Sequence, residues 1–329
     1  NSKLVLKEHP ESKYIDDAVY IIAKSSFLRG DVAIAESYFD QLLRDYPESK
    51  YFSLSRIWLT YTHLHMGMVD TAYHEINTIL EDTPAGGEEF YLIHNILAEI
   101  SIAKGNINEI YRHYEKAADY APSNSKKIST YSKLVLMAEK YLDKIKASEY
   151  LVLLAAVAPD AIRIDARLKW ITYQRELGNF DDVITETQRM LGMTEFSQEQ
   201  MKLELELGKV YKDRGDLNLS KEVFSMMVER YSNSKKDEVS EAYYQLGFMA
   251  LMEDFNLDLA REYFESSKST KSSSFYGRAS KDLLNKISHY ETLIDLYKET
   301  VKGSDNKLNY QNDNFRDGDE NEDSDPLDK

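Results

Sequence analysis

Two seven-residue stretches 37 positions apart share their last five residues: Glu8-His-Pro-Glu-Ser-Lys-Tyr14 and Asp45-Tyr-Pro-Glu-Ser-Lys-Tyr51. A fixed period constrains a fold more than any single motif, because each copy has to bury its apolar face against its neighbours. The same interval relates Tyr-Ala-Pro at 120–122 to Val-Ala-Pro at 157–159. Laid out at this spacing, Gly30, Gly67, Gly105, Gly178 and Gly215 fall where a tight turn would join two helices.

Each copy has one internal grammar. A first helix carries apolar residues at helical spacing, as in Ala18, Val19, Ile22, Ala23 and Phe27. A turn such as Arg29-Gly30-Asp31 follows, where glycine accepts the left-handed backbone that ends a helix. The second helix then presents a small residue, an aromatic and an apolar residue, here Ala35, Phe39 and Leu43. Pro47 stops it, and Ser49 is placed to cap the next helix. The small position recurs at Ala72, Ala147, Ser220 and Ala260, where a short side chain lets two backbones approach. Its bulky partner one turn on is Phe39, Ile76, Tyr114, Leu151, Phe224 or Phe264. Two copies drift, with Ile110 at the small position of the third and Val183 and Thr187 in the fifth.

These residues resemble the tetratricopeptide repeat family, whose pattern runs small-x-x-x-aromatic-x-x-small and then proline. The resemblance covers residues 1–270, with the best copies at 16–50 and 201–270. It implies an all-α, right-handed α-α superhelix: a solenoid of about seven helix pairs, plus a C-terminal capping helix. The period runs longer than the family's roughly 34 residues, with the excess in the inter-repeat loops. Those loops, in the Tyr-Pro-Glu-Ser-Lys-Tyr style, look like the loops of periplasmic members such as BamD-type outer-membrane assembly lipoproteins and Tol-Pal-associated proteins.

Four segments are expected. Residues 1–15 read as the second half of a repeat whose first helix would lie upstream, with a signal or lipidation segment expected before it. Residues 16–274 form the solenoid, closing on a serine-rich break at Ser266–Ser274. Residues 275–302 form the cap, an amphipathic helix with Leu283, Leu284, Ile287, Tyr290, Ile294 and Tyr297 on one stripe. Residues 303–329 hold nine acidic and three basic residues and little that is apolar, so they are expected to be a disordered acidic tail. The tail reads as solubilising, or more sharply as an arm for a basic partner. Its Asp317-x-Asp319-x-Asn321 spacing lacks the glycine and glutamate that a calcium loop needs.

Composition narrows function. The net charge is −16, with no basic run to displace counterions from phosphates, so nucleic acid is not expected as a partner. The longest apolar run, Leu151–Pro159, is far short of a bilayer span, so this segment is not expected to insert in a membrane. The chain has no cysteine, which removes disulfides, zinc-thiolate sites and thiol nucleophiles. No nucleophile elbow, Walker loop or dinucleotide fingerprint occurs. His63 and His65 project about 200° apart on a helix and cannot share a metal. His74-Glu75 lacks the second histidine of a zinc-protease motif, because position 78 is Thr. His63, His94 and His113 could approach one another across stacked repeats, but packing roles are the expectation. No catalytic residue, metal, cofactor or small-molecule substrate is evident.

What remains is a surface. In the family the first helices line a concave groove, whose positions fall one, four, eight and eleven residues into each helix. The resemblance therefore points to Tyr20 and Lys24, Tyr61 and His65, Asn95 and Glu99, Arg175, and Lys209 and Lys212 as groove residues. Exposed aromatics and cations are the usual anchors of a peptide interface. The family's two-cation clamp for a C-terminal carboxylate is not complete here. The leading reading is a non-catalytic scaffold that binds partner proteins or peptides in this groove, associated with the periplasm or outer membrane. A cytoplasmic adaptor or regulatory module of a larger protein is the alternative, and an enzyme built on the solenoid would need a polar cluster inside the groove.

Overall fold

The computed structural model describes residues 2–8 and 11–316, and no strand occurs among them. Its helices form two compact units that divide between Asn179 and Phe180. The first unit holds α1 (Ser2–Glu8), α2 (Ile15–Leu28), α3 (Val32–Asp45), α4 (Phe52–His65), α5 (Val69–Asp82), α6 (Gly87–Lys104), α7 (Ile107–Asp119), α8 (Asn124–Lys140), α9 (Lys144–Val157) and α10 (Asp160–Glu176). The second holds α11 (Phe180–Leu191), a 3₁₀ turn at Thr194–Phe196, α12 (Gln200–Arg214), α13 (Leu217–Arg230), α14 (Asp237–Met252), α15 (Leu257–Thr270) and α16 (Phe275–Arg316). Of the seven pairs read from the sequence, six lie whole within one unit. The fifth has α10 in the first unit and α11 in the second.

Within each unit the pairs stack in chain order. The second helix of one pair packs on the first helix of the next, as α3 on α4, α5 on α6, α7 on α8 and α13 on α14. First helices also meet directly, α2 with α4, α4 with α6, α12 with α14 and α14 with α16. No two second helices pack comparably among the described residues. The first helices therefore form the closer, inner side of each unit.

The turn glycines take positive φ, as at Gly30 (83°) and Gly215 (95°). The turns after α8 and α14 lack glycine, and there Leu142 (φ 58°) and Phe255 (φ 52°) take the left-handed conformation instead. The Leu142 turn keeps the same bonding as the Gly30 turn. Asp143 N–H donates to the Ala138 carbonyl at 2.9 Å, as Asp31 N–H does to Ser26. Both residues stand almost fully in water, Leu142 at 84% and Phe255 at 85% exposure, so the backbone requirement outweighs their side chains' preference for burial.

The small and bulky positions are buried throughout. Ala35, Ala72, Ile110, Ala147, Val183, Ser220 and Ala260 are at most 1% exposed, and Phe39, Ile76, Phe224 and Phe264 are at 0%. The first helix makes room for the bulky residue. A Cβ on Gly208 of α12 would meet the Phe224 ring edge far inside van der Waals contact, and one on Gly247 of α14 would stand 2.8 Å from the Phe264 ring. Where the bulky partner is Phe39 or Tyr114, alanine (Ala23, Ala98) fills the corresponding site, and Val135 fills it opposite the smaller Leu151. Size on one helix thus complements size on the other. Burying one such phenylalanine contributes about 1.5–3 kcal/mol.

Three expectations need correction. Ser49 does not cap α4. Its hydroxyl accepts from Tyr51 N–H at 3.2 Å and donates to Asp16 of the preceding pair at 2.7 Å, so it shapes the loop and ties two repeats together. The serine-rich segment is not a break over 266–274. α15 continues to Thr270, and its Ser267 and Thr270 hydroxyls are absorbed by hydrogen bonds to the Ser240 and Ser266 carbonyls. The last helix does not stop at Lys302 but runs to Arg316, so residues 303–316 are helical rather than part of a disordered tail. No proline interrupts that stretch, and extending an existing helix costs far less than starting one. Residues 317–329, the rest of the expected tail, lie outside the described residues.

Only the first part of α16 caps the array. Leu283, Leu284 and Ile287 pack with Ala250, Ala260 and Phe264, whereas Tyr290 and Tyr297 on the same stripe are exposed. At the other end α1 forms as expected and lays Leu6 against the Val19–Phe39 core.

Candidate protein-binding face

The inner side of the first unit is built from α2, α4, α6, α8 and α10. On α2, Tyr20 is 6% exposed, stacked flat on Tyr51 with ring centroids 4.2 Å apart. Burial, followed by the nearby Glu88 charge, pushes its phenol up to about 12. One turn on, the Lys24 ammonium reaches the Tyr20 hydroxyl at 3.5 Å and stands 5.1 Å from the Trp58 ring centre. Its contacts are rings and a hydroxyl rather than a carboxylate. Phe27 then leads into a cluster with Trp58, Tyr61 and His65, its centroid 4.9 Å from Tyr61 and 5.0 Å from His65. His65 is the exposed member.

Tyr61 is tied to the next repeat. Its hydroxyl donates to Glu99 Oε2 at 2.7 Å, and Lys133 of α8 donates to the other oxygen of the same carboxylate at 3.1 Å. Burial and then the Glu99 charge push the Tyr61 phenol far above its ordinary range, so it stays protonated as a donor. The arrangement recurs one repeat later. Glu139 of α8 accepts from the Tyr173 hydroxyl at 2.8 Å and from Lys169 at 3.5 Å, both on α10. In the second unit Glu241 of α14 faces Lys209 of α12 at 3.4 Å and holds the Tyr276 phenol high, after the larger effect of burial. A glutamate on one first helix thus joins a lysine and a tyrosine on neighbouring first helices.

The structure joins five of the nine groove residues into two adjoining groups, Tyr20 with Lys24, and Tyr61 with His65 and Glu99. Asn95 is 8% exposed and turns back on its own helix, its amide donating to the Tyr91 carbonyl at 2.8 Å. Arg175 lies half-exposed in the last turn of α10. Lys209 and Lys212 belong to α12 in the second unit. Lys209 is ion-paired with Glu206 at 2.7 Å, and Lys212 donates to Gln245 of α14 at 2.9 Å. Sequence reasoning missed Phe27, Trp58 and Lys133. Lys133 was findable, since it follows Glu99 by 34 positions, about one repeat.

The histidines separate. His63 leaves the other two and pairs with Glu75 at 2.8 Å and Glu36 at 3.5 Å. His94 and His113 do meet, Nδ1 to Nδ1 at 3.0 Å, both buried. Burial first, then neighbouring positive charge, lowers them to about 3 and about 4, so the pair is neutral at physiological pH. Among the described residues no group of three or more His, Asp or Glu could hold a metal ion, and no helix is long and apolar enough to cross a membrane.

Residues 17–49, the α2–α3 pair with its following loop, match the family model of the tetratricopeptide repeat. This lies within one of the two best copies read from the sequence, so the resemblance drawn there is met. No curated protein matches the sequence. Among solved structures the chain is similar to a tetratricopeptide repeat protein from Parabacteroides merdae, at 14% identity over 83% of this chain and 98% of that one, with a TM-score of 0.38. It is similar also to the C-terminal part of a repeat-containing protein from Cytophaga hutchinsonii, at 12% identity over 79% and 98%, with a TM-score of 0.48. The apo form of RapI matches at 11% identity over 91% and 92%, with a TM-score of 0.47.

Proposed function

We propose that the chain is a non-catalytic scaffold that holds a protein or peptide partner against the inner side of its first unit. Tetratricopeptide helix pairs are a fold used to bind proteins, and that alone does not choose a surface. The observation that supports this surface is the state of Lys24. Further along the inner side, lysines and glutamates satisfy one another: Lys133 with Glu99, and Lys169 with Glu139. Lys24 instead rests on Tyr20 and Trp58 beside the Phe27–Tyr61–His65 cluster. A cation without a carboxylate next to a half-open aromatic cluster suits a partner segment with an acidic and an apolar side chain in sequence.

Affinity capture with the chain and with Lys24→Glu and His65→Ala variants tests the reading. Both positions are only partly buried or exposed, so melting should change little. Capture of the same partner should fall at least about tenfold in the double variant, a loss of about 1.4 kcal/mol. An unchanged partner set at unchanged affinity would overturn the assignment.

The Pro-Glu-Ser-Lys-Tyr loops, by their likeness to those of periplasmic family members, support placing the protein at the cell envelope. Fractionation of source cells tests this: recovery with the envelope fits the proposal, and recovery in the cytosol replaces it with the adaptor reading.

A further inference from the structure

The side of the first unit opposite the inner face carries a groove of about 540 Å³ between α5, α6 and α7. On α6 its residues Leu97, Ser101 and Lys104 lie opposite Asn95 and Glu99, so this site is separate from the proposed partner face. Its apolar lining comes from Leu80, Leu97 and Ile100, with the Tyr73 ring as one wall. Lys104 stands 4.3 Å from the centre of that ring. Two further cations line the groove, Arg112 and Lys116, against one lining carboxylate, Glu109.

Three cations to one carboxylate is an inversion in a chain of net charge −16. The lining already spends part of that charge. Lys104 pairs with Asp70 at 2.8 Å and Arg112 pairs with Glu109, while Lys116 makes no ion pair with a carboxylate. The lining also contains an unmet polar group. His94 is 1% exposed, and its Nε2 is buried without a hydrogen-bond partner, while its Nδ1 is held by His113 at 3.0 Å. A buried polar atom left unpaired costs about 1–3 kcal/mol, so a ligand atom that pairs with it gains from that bond.

We propose that this groove binds a small organic anion, an apolar or aromatic body bearing one phosphate or carboxylate group. The body lies on Tyr73 and the half-buried Leu80, above the packed Leu97 and Ile100. The anionic group takes Lys116 and Arg112, and a polar atom of the ligand meets His94. The volume falls in the usual range of about 300–1,000 Å³ for small-molecule sites.

Titration calorimetry of the whole chain with three probes tests this: phenyl phosphate, inorganic phosphate and benzyl alcohol. Phenyl phosphate should bind saturably and at least about tenfold more tightly than either of the others, because each of those supplies half of the recognition. Arg112→Ala/Lys116→Glu, whose side chains are exposed, should weaken it at least about tenfold, whereas Lys24→Glu on the inner face should leave it unchanged. The imidazole nitrogen resonances of His94 should shift on saturation. Absence of saturable phenyl phosphate binding, or binding indifferent to the groove variant, would overturn the proposal. Either result leaves the partner-face reading untouched, since that rests on Lys24.

Discussion

Gly208 is where a single atom decides packing. The Phe224 ring occupies the space of its absent Cβ, with both residues buried in the α12–α13 contact. Gly208→Ala should therefore destabilise the chain by about 1–2 kcal/mol, the overpacking cost exceeding the roughly 1 kcal/mol that alanine contributes to a helix. Adding Phe224→Leu should recover part of that loss, and a double-mutant cycle by urea denaturation measures it. Additive costs would mean that the ring is not what excludes the Cβ. The His94–His113 pair gives a second test. Both folded values lie below the ordinary 6.5, so the unfolded chain takes up protons first as pH falls. The stabilisation is complete above about pH 6.5 and is lost progressively as pH falls to about 3. The charged groups facing the pair are Glu109, Arg112 and Lys116. Replacing both histidines, His94→Leu with His113→Phe, should flatten the difference in urea midpoint between pH 7.5 and pH 5 relative to the native chain. An unchanged difference would contradict the neutral buried pair.

At the scale of elements, the turn glycines, the small and bulky positions and the proline stops were all legible, because each is a steric demand that few residue types meet. The two turns that lack glycine were not, since Leu142 and Phe255 carry no signal for positive φ. Leu142→Gly should stabilise the chain by about 0.5–1 kcal/mol. Relief of left-handed strain exceeds the extra chain entropy of glycine, and an exposed leucine packs against little. A higher urea midpoint checks this, and a lower one would show that Leu142 packs where the structure leaves it open. The length of α16 was also hidden. Composition marks residues 303–316 as polar, but a polar stretch that follows an established helix without proline can continue it.

For the molecule, the period could be read from 37-residue matches in the loops, and the structure repeats it in the polar contacts. Lys104–Asp70, Lys133–Glu99, Tyr173–Glu139 and Lys271–Asp237 each span 34 positions; the first three join one pair to the next, and the last ties the seventh pair to the loop that leads into α16. The division at Asn179 was not legible, because Gly178 and Phe180 look like any other turn. The inner side was legible as a list of positions but not as a state. The family resemblance pointed to Tyr61, Glu99 and Lys24, while only the packed geometry shows that Glu99 is already satisfied and that Lys24 rests on rings. A photo-crosslinking residue installed at position 24 or 65, with a matched control at Glu81 on α5, tests the central claim most directly. The account predicts that 24 and 65 crosslink one and the same partner and that 81 does not. Crosslinks at 81 equal to those at 24 and 65 would contradict it.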